Sequence, residues 1–165
     1  MSETIDDGAQ TQETYLRLKI DKLIAKRKGE IITNIRNLAE NYRIGEIVER
    51  SPLRNVMAVA TAAGADPEEV ANFILYQLGR STRNEIWTRP PDDKESHRYF
   101  AEELVRRIEQ LARTADDITE EAGRSSKANR EQIHLELIRL YLGYLGRYHT
   151  YLKWKHAQQR LYPER

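Results

Sequence analysis

The sequence predicts an all-α protein, a bundle of about five helices with two short central helices and a long C-terminal helix. Three observations predict it. Apolar residues recur at intervals of three and four along most of the chain, which gathers them on one side of a helix. No stretch alternates apolar and polar residues as a half-buried strand does, and no internal repeat occurs. Helix-start signals, in which serine or aspartate directly precedes proline, stand at Ser51-Pro52 and Asp66-Pro67. A length of 165 residues suits one domain with a single core. That domain is expected over residues 12 to 162, after an acidic segment, residues 1 to 11, expected to be disordered or frayed.

The first helix runs from Thr14 to Lys28, with Tyr15, Leu16, Ile20, Leu23 and Ile24 on its apolar side. Gly29 either ends it or is absorbed, because Ile31, Ile35, Leu38 and Tyr42 continue the period to about Val48. In a continuous helix Lys22, Lys26 and Arg36 share a side, with Arg43 two turns on; a break at Gly29 would undo that alignment. Ser51-Pro52 opens a short helix to about Ala63, stopped by Gly64. Asp66-Pro67-Glu68-Glu69 opens a second, from Pro67 to Leu78, stopped by Gly79. Val70, Phe73, Ile74, Tyr76 and Leu78 make this second helix too apolar to lie in a DNA groove, so the pair is not a helix-turn-helix reader. Residues 81 to 96 form a loop, since Arg89-Pro90-Pro91 cannot continue a helix, and Trp87 is expected to anchor that loop to the core edge. A long amphipathic helix follows from Ser96 to Gly123, marked by Phe100, Leu104, Ile108, Leu111, Ala115 and Ile118.

The last helix, Ser126 to Arg160, has two faces. At about 100° per residue, Ile133, Leu137, Tyr141, Tyr144, Leu145, Tyr148, Tyr151 and Leu152 share one apolar arc, the expected core face. Opposite lie Arg139, Gly143, Gly146, Thr150 and Lys153, a strip of small and basic residues that requires a partner or water. A glycine inside a helix costs roughly 1 kcal/mol against alanine, so two on one strip suggest close approach there.

Apolar residues at 39% and charged residues at 32% describe a soluble protein with a modest core. The net charge of +1 hides segregation. Glu3, Asp6, Asp7 and Glu13 precede a basic run holding Arg17, Lys19, Lys22, Lys26, Arg27 and Lys28. After Glu136 come Arg139, Arg147, Lys153, Lys155, Arg160 and Arg165, opposed only by Glu164. Such local zones bind polyanions even in a nearly neutral chain. With no cysteine, disulfides, thiolate metal sites and cysteine nucleophiles are excluded. No signal-like or membrane-length apolar run is present, so a cytoplasmic protein without membrane contact is expected.

No catalytic constellation, cofactor motif or metal site emerges. His97, His134, His149 and His156 form no paired ligand motif, and His149 and His156 read as solvated residues on a basic helix. Glu131 and His134 match half of a di-metal carboxylate pattern, once only. Basic residues interleaved with aromatics remain. Arginine and lysine hold phosphates without reading sequence, and tyrosine faces can stack on unpaired bases, but most of the tyrosines from 141 to 151 are assigned to the core.

Three stretches carry a family resemblance. The run Phe73-Ile74-Leu75-Tyr76-Gln77-Leu78-Gly79-Arg80 resembles the apolar helix ending in Gly-Arg of the small helical subunit of type III-A CRISPR effector complexes. Thr33-Asn34-Ile35-Arg36-Asn37-Leu38 resembles that family's early threonine-x-apolar-arginine helix start, although Leu53-Arg54-Asn55-Val56 fits the arginine about as well. The tail from Tyr144 to Trp154 is similar to its closing helix, in which aromatics precede a lysine. The basic helix before residue 29 and the segment from Asp116 to Asn129 are longer than the family pattern requires. The resemblance implies a non-catalytic subunit without cofactor or metal, stacked head to tail in several copies beside guide RNA and target RNA and in contact with other effector subunits. By motif it implies RNA-backbone contacts from Arg36, Arg80 and Lys153. Charge and position add Lys26, Arg27, Arg43, Arg54, Arg83 and Arg147. A protein-binding helical adaptor without nucleic-acid binding is the alternative.

Overall fold

The structure is a computed structural model that describes residues 4–82, 84–123 and 126–164. Five α-helices, α1 (Thr4–Asn41), α2 (Ser51–Thr61), α3 (Pro67–Arg80), α4 (Phe100–Glu121) and α5 (Lys127–Leu161), are joined by two 3₁₀ turns at Ile44–Glu46 and Ile86–Thr88. No strand occurs among the described residues.

The last helix is the axis of the fold: α4, α1, α2 and the turn Ile44–Glu46 all pack on α5. Its core face is wide near the start, where Ile133, Leu135, Leu137, Ile138, Tyr141 and Leu142 are all buried, and narrows beyond Leu145 to half-buried Tyr148 and Leu152. The amphipathic α4 lays Leu104, Ile108, Leu111, Ala115 and Ile118 against it. Tyr42, Trp87 and Phe100 close one end of the core, with ring centroids 5.7 Å apart for Tyr42 and Phe100 and 6.2 Å for Trp87 and Phe100. Trp87 thus anchors its loop, as expected.

Helix α1 starts at Thr4, well inside the segment expected to be disordered. Acidic Asp7 at its N-terminal end suits the helix dipole, and the hydroxyls of Thr11 and Thr14 donate to the carbonyls four residues back. Gly29 is absorbed, so Lys22, Lys26 and Arg36 do share a side. The helix stops at Asn41 rather than Val48, because Arg43 takes a left-handed backbone with φ of 47°. Arg89 secures that break, donating from Nε to the Tyr42 carbonyl at 3.2 Å and pairing with Glu46 at 2.6 Å.

The short helices also shift at their ends. Ser51 is the first residue of α2, and Arg50 before it supplies no side-chain cap. Asp66 does cap α3, accepting from the Glu69 N–H at 2.8 Å. That helix runs through Gly79 to Arg80, so Gly79 does not terminate it.

Gly45 requires its missing side chain: a Cβ there would lie 2.8 Å from both Cβ and the carbonyl oxygen of Leu152. The turn therefore rests backbone to backbone on α5, and Ile47 and Val48 after it meet His149 and Lys153, which places the start of α2 beside that stretch of the helix.

Candidate nucleic-acid interface

The small-residue strip of α5 receives α2. Met57 Cε lies 3.9 Å from where a Cβ on Gly143 would be, and Arg139 Nε donates to the Ala60 carbonyl at 2.7 Å, serving the open C-terminal end of α2. One turn on the helices diverge. Nothing stands within 4 Å of a Cβ on Gly146, and an open groove of about 310 Å³ runs between them, lined by Arg50, Arg54, Gly146, Arg147, His149 and Thr150 among others.

Arg50, Arg54 and Arg147 are exposed and form no ion pair among the described residues. Lys153 stands beside them, its Nζ donating to the Val48 carbonyl at 3.3 Å. Partial burial and then the charges of Arg50 and Arg54 push its ammonium below the usual lysine range. An ammonium held down by neighbouring guanidinium groups marks a site that an anion relieves.

His149 forms the floor. Its expected solvation is overturned: it is 2% exposed, with Nε2 donating to the Ile47 carbonyl at 2.8 Å. Burial first, then the charges of Lys153 and Arg50, hold the imidazole below its ordinary value despite that hydrogen bond. It is a neutral wedge between the turn and α5. The sequence reading missed its burial because the apolar arc, drawn for a single neighbour, left out the side against which the turn packs.

An aromatic ladder lies around the same half of α5. Tyr148 and Tyr151 have centroids 5.7 Å apart with planes inclined by 30°, and Tyr151 and Trp154 follow at 6.2 Å and 29°. Tyr141 is core, as assigned, and Tyr144 and Tyr148 are half-buried, but Tyr151 is 46% exposed because the bundle has narrowed by that turn. Arg36 lies over Tyr148 at 5.8 Å and Arg147 over Tyr144 at 5.5 Å. The Tyr148 hydroxyl donates to Glu40 at 2.6 Å, and burial together with that carboxylate pushes the phenol up to about 12.

Of the residues expected to touch RNA, Arg54 and Arg147 line the groove, Lys153 stands beside it, and Arg36 joins from α1 through the ladder. Arg43 is neutralised locally, by Asp92 at 2.8 Å and Glu46 at 3.8 Å. Arg27 faces Glu121 at 3.8 Å. Lys26 is exposed on α1 and lines no part of the groove. Arg80 ends α3 over the Tyr76 ring at 5.7 Å and likewise lines no part of it. Arg83 lies outside the described residues. Arg50 was missed, though its spacing of four from Arg54 was a readable signal.

Among the described residues no group of three acidic or histidine side chains could hold a metal ion. His134 Nε2 bonds the Ile108 carbonyl at 2.8 Å, and Glu131 faces Lys127 at 3.7 Å, so neither completes a ligand set. Nor is any described helix long and apolar enough to cross a membrane. Comparison with family models, curated proteins and solved structures found no match.

Proposed function

We propose that this protein binds the RNA backbone through the groove between α2 and α5, as the non-catalytic small subunit of a type III CRISPR effector complex. One observation carries the RNA reading: Arg50, Arg54 and Arg147 line an open groove that has no carboxylate in its lining, and Lys153 lies within reach of the charges of Arg50 and Arg54. Arginines around a cleft grip phosphate oxygens irrespective of sequence, which suits a subunit that must accept any guide and target. The CRISPR assignment rests on the resemblance of the segments that hold Arg36, Arg80 and Lys153. It brings with it stacking of several copies head to tail, contacts with other effector subunits and a cytoplasmic site of action in antiviral defence.

The test is RNA binding across a salt series. Affinity should fall linearly on logarithmic axes, and the double variant R50A/R54A should weaken binding and flatten the slope by roughly 1.5 to 2. Unchanged affinity and slope in that variant would remove the groove from the reading. Co-purification with the other subunits and a guide RNA tests the assembly. A helical adaptor without RNA is the second reading, favoured by Tyr15 and Leu18, which are 68% and 56% exposed on the outer part of α1. Salt-insensitive capture of a protein partner, with no RNA retained, would establish it instead.

A further inference from the structure

Tyr148 packs against the core edge, but the outer two rings of the ladder have no such employment. Tyr151 and Trp154 are 46% and 60% exposed and hold each other rather than the core, at a point where the bundle has already narrowed. Their planes and that of Tyr148 are inclined by only 29° to 30° from one ring to the next, so the three make a graded surface along the helix. Cations border it: Arg36 over Tyr148, Arg147 over Tyr144, and Lys155 on the same helical turns. The carboxylate that meets it, Glu40, is taken up by the Tyr148 hydroxyl and fixes that ring. Arg147 belongs both to this surface and to the groove, which makes the two continuous.

We infer that Tyr148, Tyr151 and Trp154 form a stacking platform for unpaired RNA bases, fed by the backbone held in the groove. The inference rests on the RNA-binding reading and adds a substrate class to it: single-stranded rather than duplex RNA. In a duplex the base faces are hidden in their own stack, whereas an unpaired base offers a face to a ring at about 1 to 3 kcal/mol each. Charge argues against a second copy meeting ladder to ladder, because α5 carries Arg147, Lys153, Lys155 and Arg160 with no acidic residue after Glu136.

The experiment uses the full chain with three probes: a short oligouridylate, an RNA duplex of the same length, and an abasic ribose-phosphate oligomer bearing the same phosphates. In Y151L/W154L, oligouridylate affinity should fall roughly tenfold to a hundredfold, with duplex and abasic affinities unchanged, and Y151F/W154F should restore most of it. Oligouridylate should also quench the fluorescence of exposed Trp154, a signal lost in W154L because Trp87 is 2% exposed. Equal losses for oligouridylate and the abasic chain, or no loss for either, would overturn the platform. If R50A/R54A still weakens all three probes, the groove reading survives that result; if the wild-type chain binds none of them, both fall. Loss of self-association in Y151L/W154L with RNA affinity intact would make the ladder an interface between copies and also overturn the inference.

Discussion

The two ends of α5 treat arginine in opposite ways. Around its first half, arginines meet carboxylates from other elements or turns: Arg17 with Glu136 at 2.6 Å, Arg130 with Asp116 at 3.8 Å, and Arg107 with Glu103 at 2.9 Å. Around its second half, on the side that faces α2, Arg147 meets a ring and Arg50 and Arg54 meet no carboxylate, while on the side of the turn Arg43 and Arg89 are paired with Glu46 and Asp92. The grooves differ accordingly. The one of about 350 Å³ between the outer part of α1 and the start of α5 has Arg17 as its only cation, already paired, whereas the groove beside α2 is lined by three free ones. Arginine density does not distinguish a binding surface from a stabilising network. The supply of carboxylates does.

The largest effect should come from the paired end. Glu103 is 5% exposed and receives Arg106 and Arg107 together. Burial alone would raise its carboxyl, but those two hydrogen bonds outweigh it and hold the group below the usual range. Replacing it by alanine leaves two guanidinium groups facing a buried gap, and urea denaturation should show a loss of about 3 to 5 kcal/mol. A loss near zero would mean that this network is as dispensable as a surface ion pair, and the contrast between the two ends would collapse.

At the boundary between the ends, G45A should cost about 1 to 3 kcal/mol, since the added methyl meets the Leu152 backbone, which cannot yield cheaply. G146A is its control. Nothing lies near that position, so thermal melting should show a gain of up to about 1 kcal/mol from helix propensity alone. If both variants behave alike, the turn does not rest on α5 as closely as described.

The smallest effect is that of pH on the groove floor. The folded imidazole of His149 lies below its ordinary 6.5, so the unfolded chain binds the proton first. Its contribution is complete above 6.5 and is lost as pH falls from there through the folded value. Stability measured against pH should therefore decline over that window, and H149Q, which keeps a donor for the Ile47 carbonyl, should remove this part of the decline. An unchanged profile in H149Q would assign the acid sensitivity elsewhere, with Glu103, whose contribution is lost only at lower pH, the next to examine.

Much of the fold was legible because its signals are local. The spacing of Phe100, Leu104, Ile108 and Leu111 describes α4 whatever packs on it, and Asp66-Pro67 begins α3 by a bond to the Glu69 N–H three residues on. The end of α1 was not legible, since Arg43 is turned by partners in the loop around Arg89 and Asp92, some 46 to 49 positions away. The site divides along the same line. Arg54, Arg147 and Lys153 could be named from charge and position, but Arg43 could not be excluded, nor His149 assigned to the floor, without the turn on which both depend.

By itself, the sequence determined the helical class, the amphipathic faces, the capped start of α3 and the acid-free second half of α5, because each depends on residues within a turn or two of one another. The tertiary structure decided which cations remain unpaired, where α5 leaves the core and exposes its ladder, and that a glycine at position 45 lets the turn press backbone to backbone on Leu152. Those outcomes depend on what distant segments bring alongside: a carboxylate for Arg17 from 119 residues away, and none for Arg54.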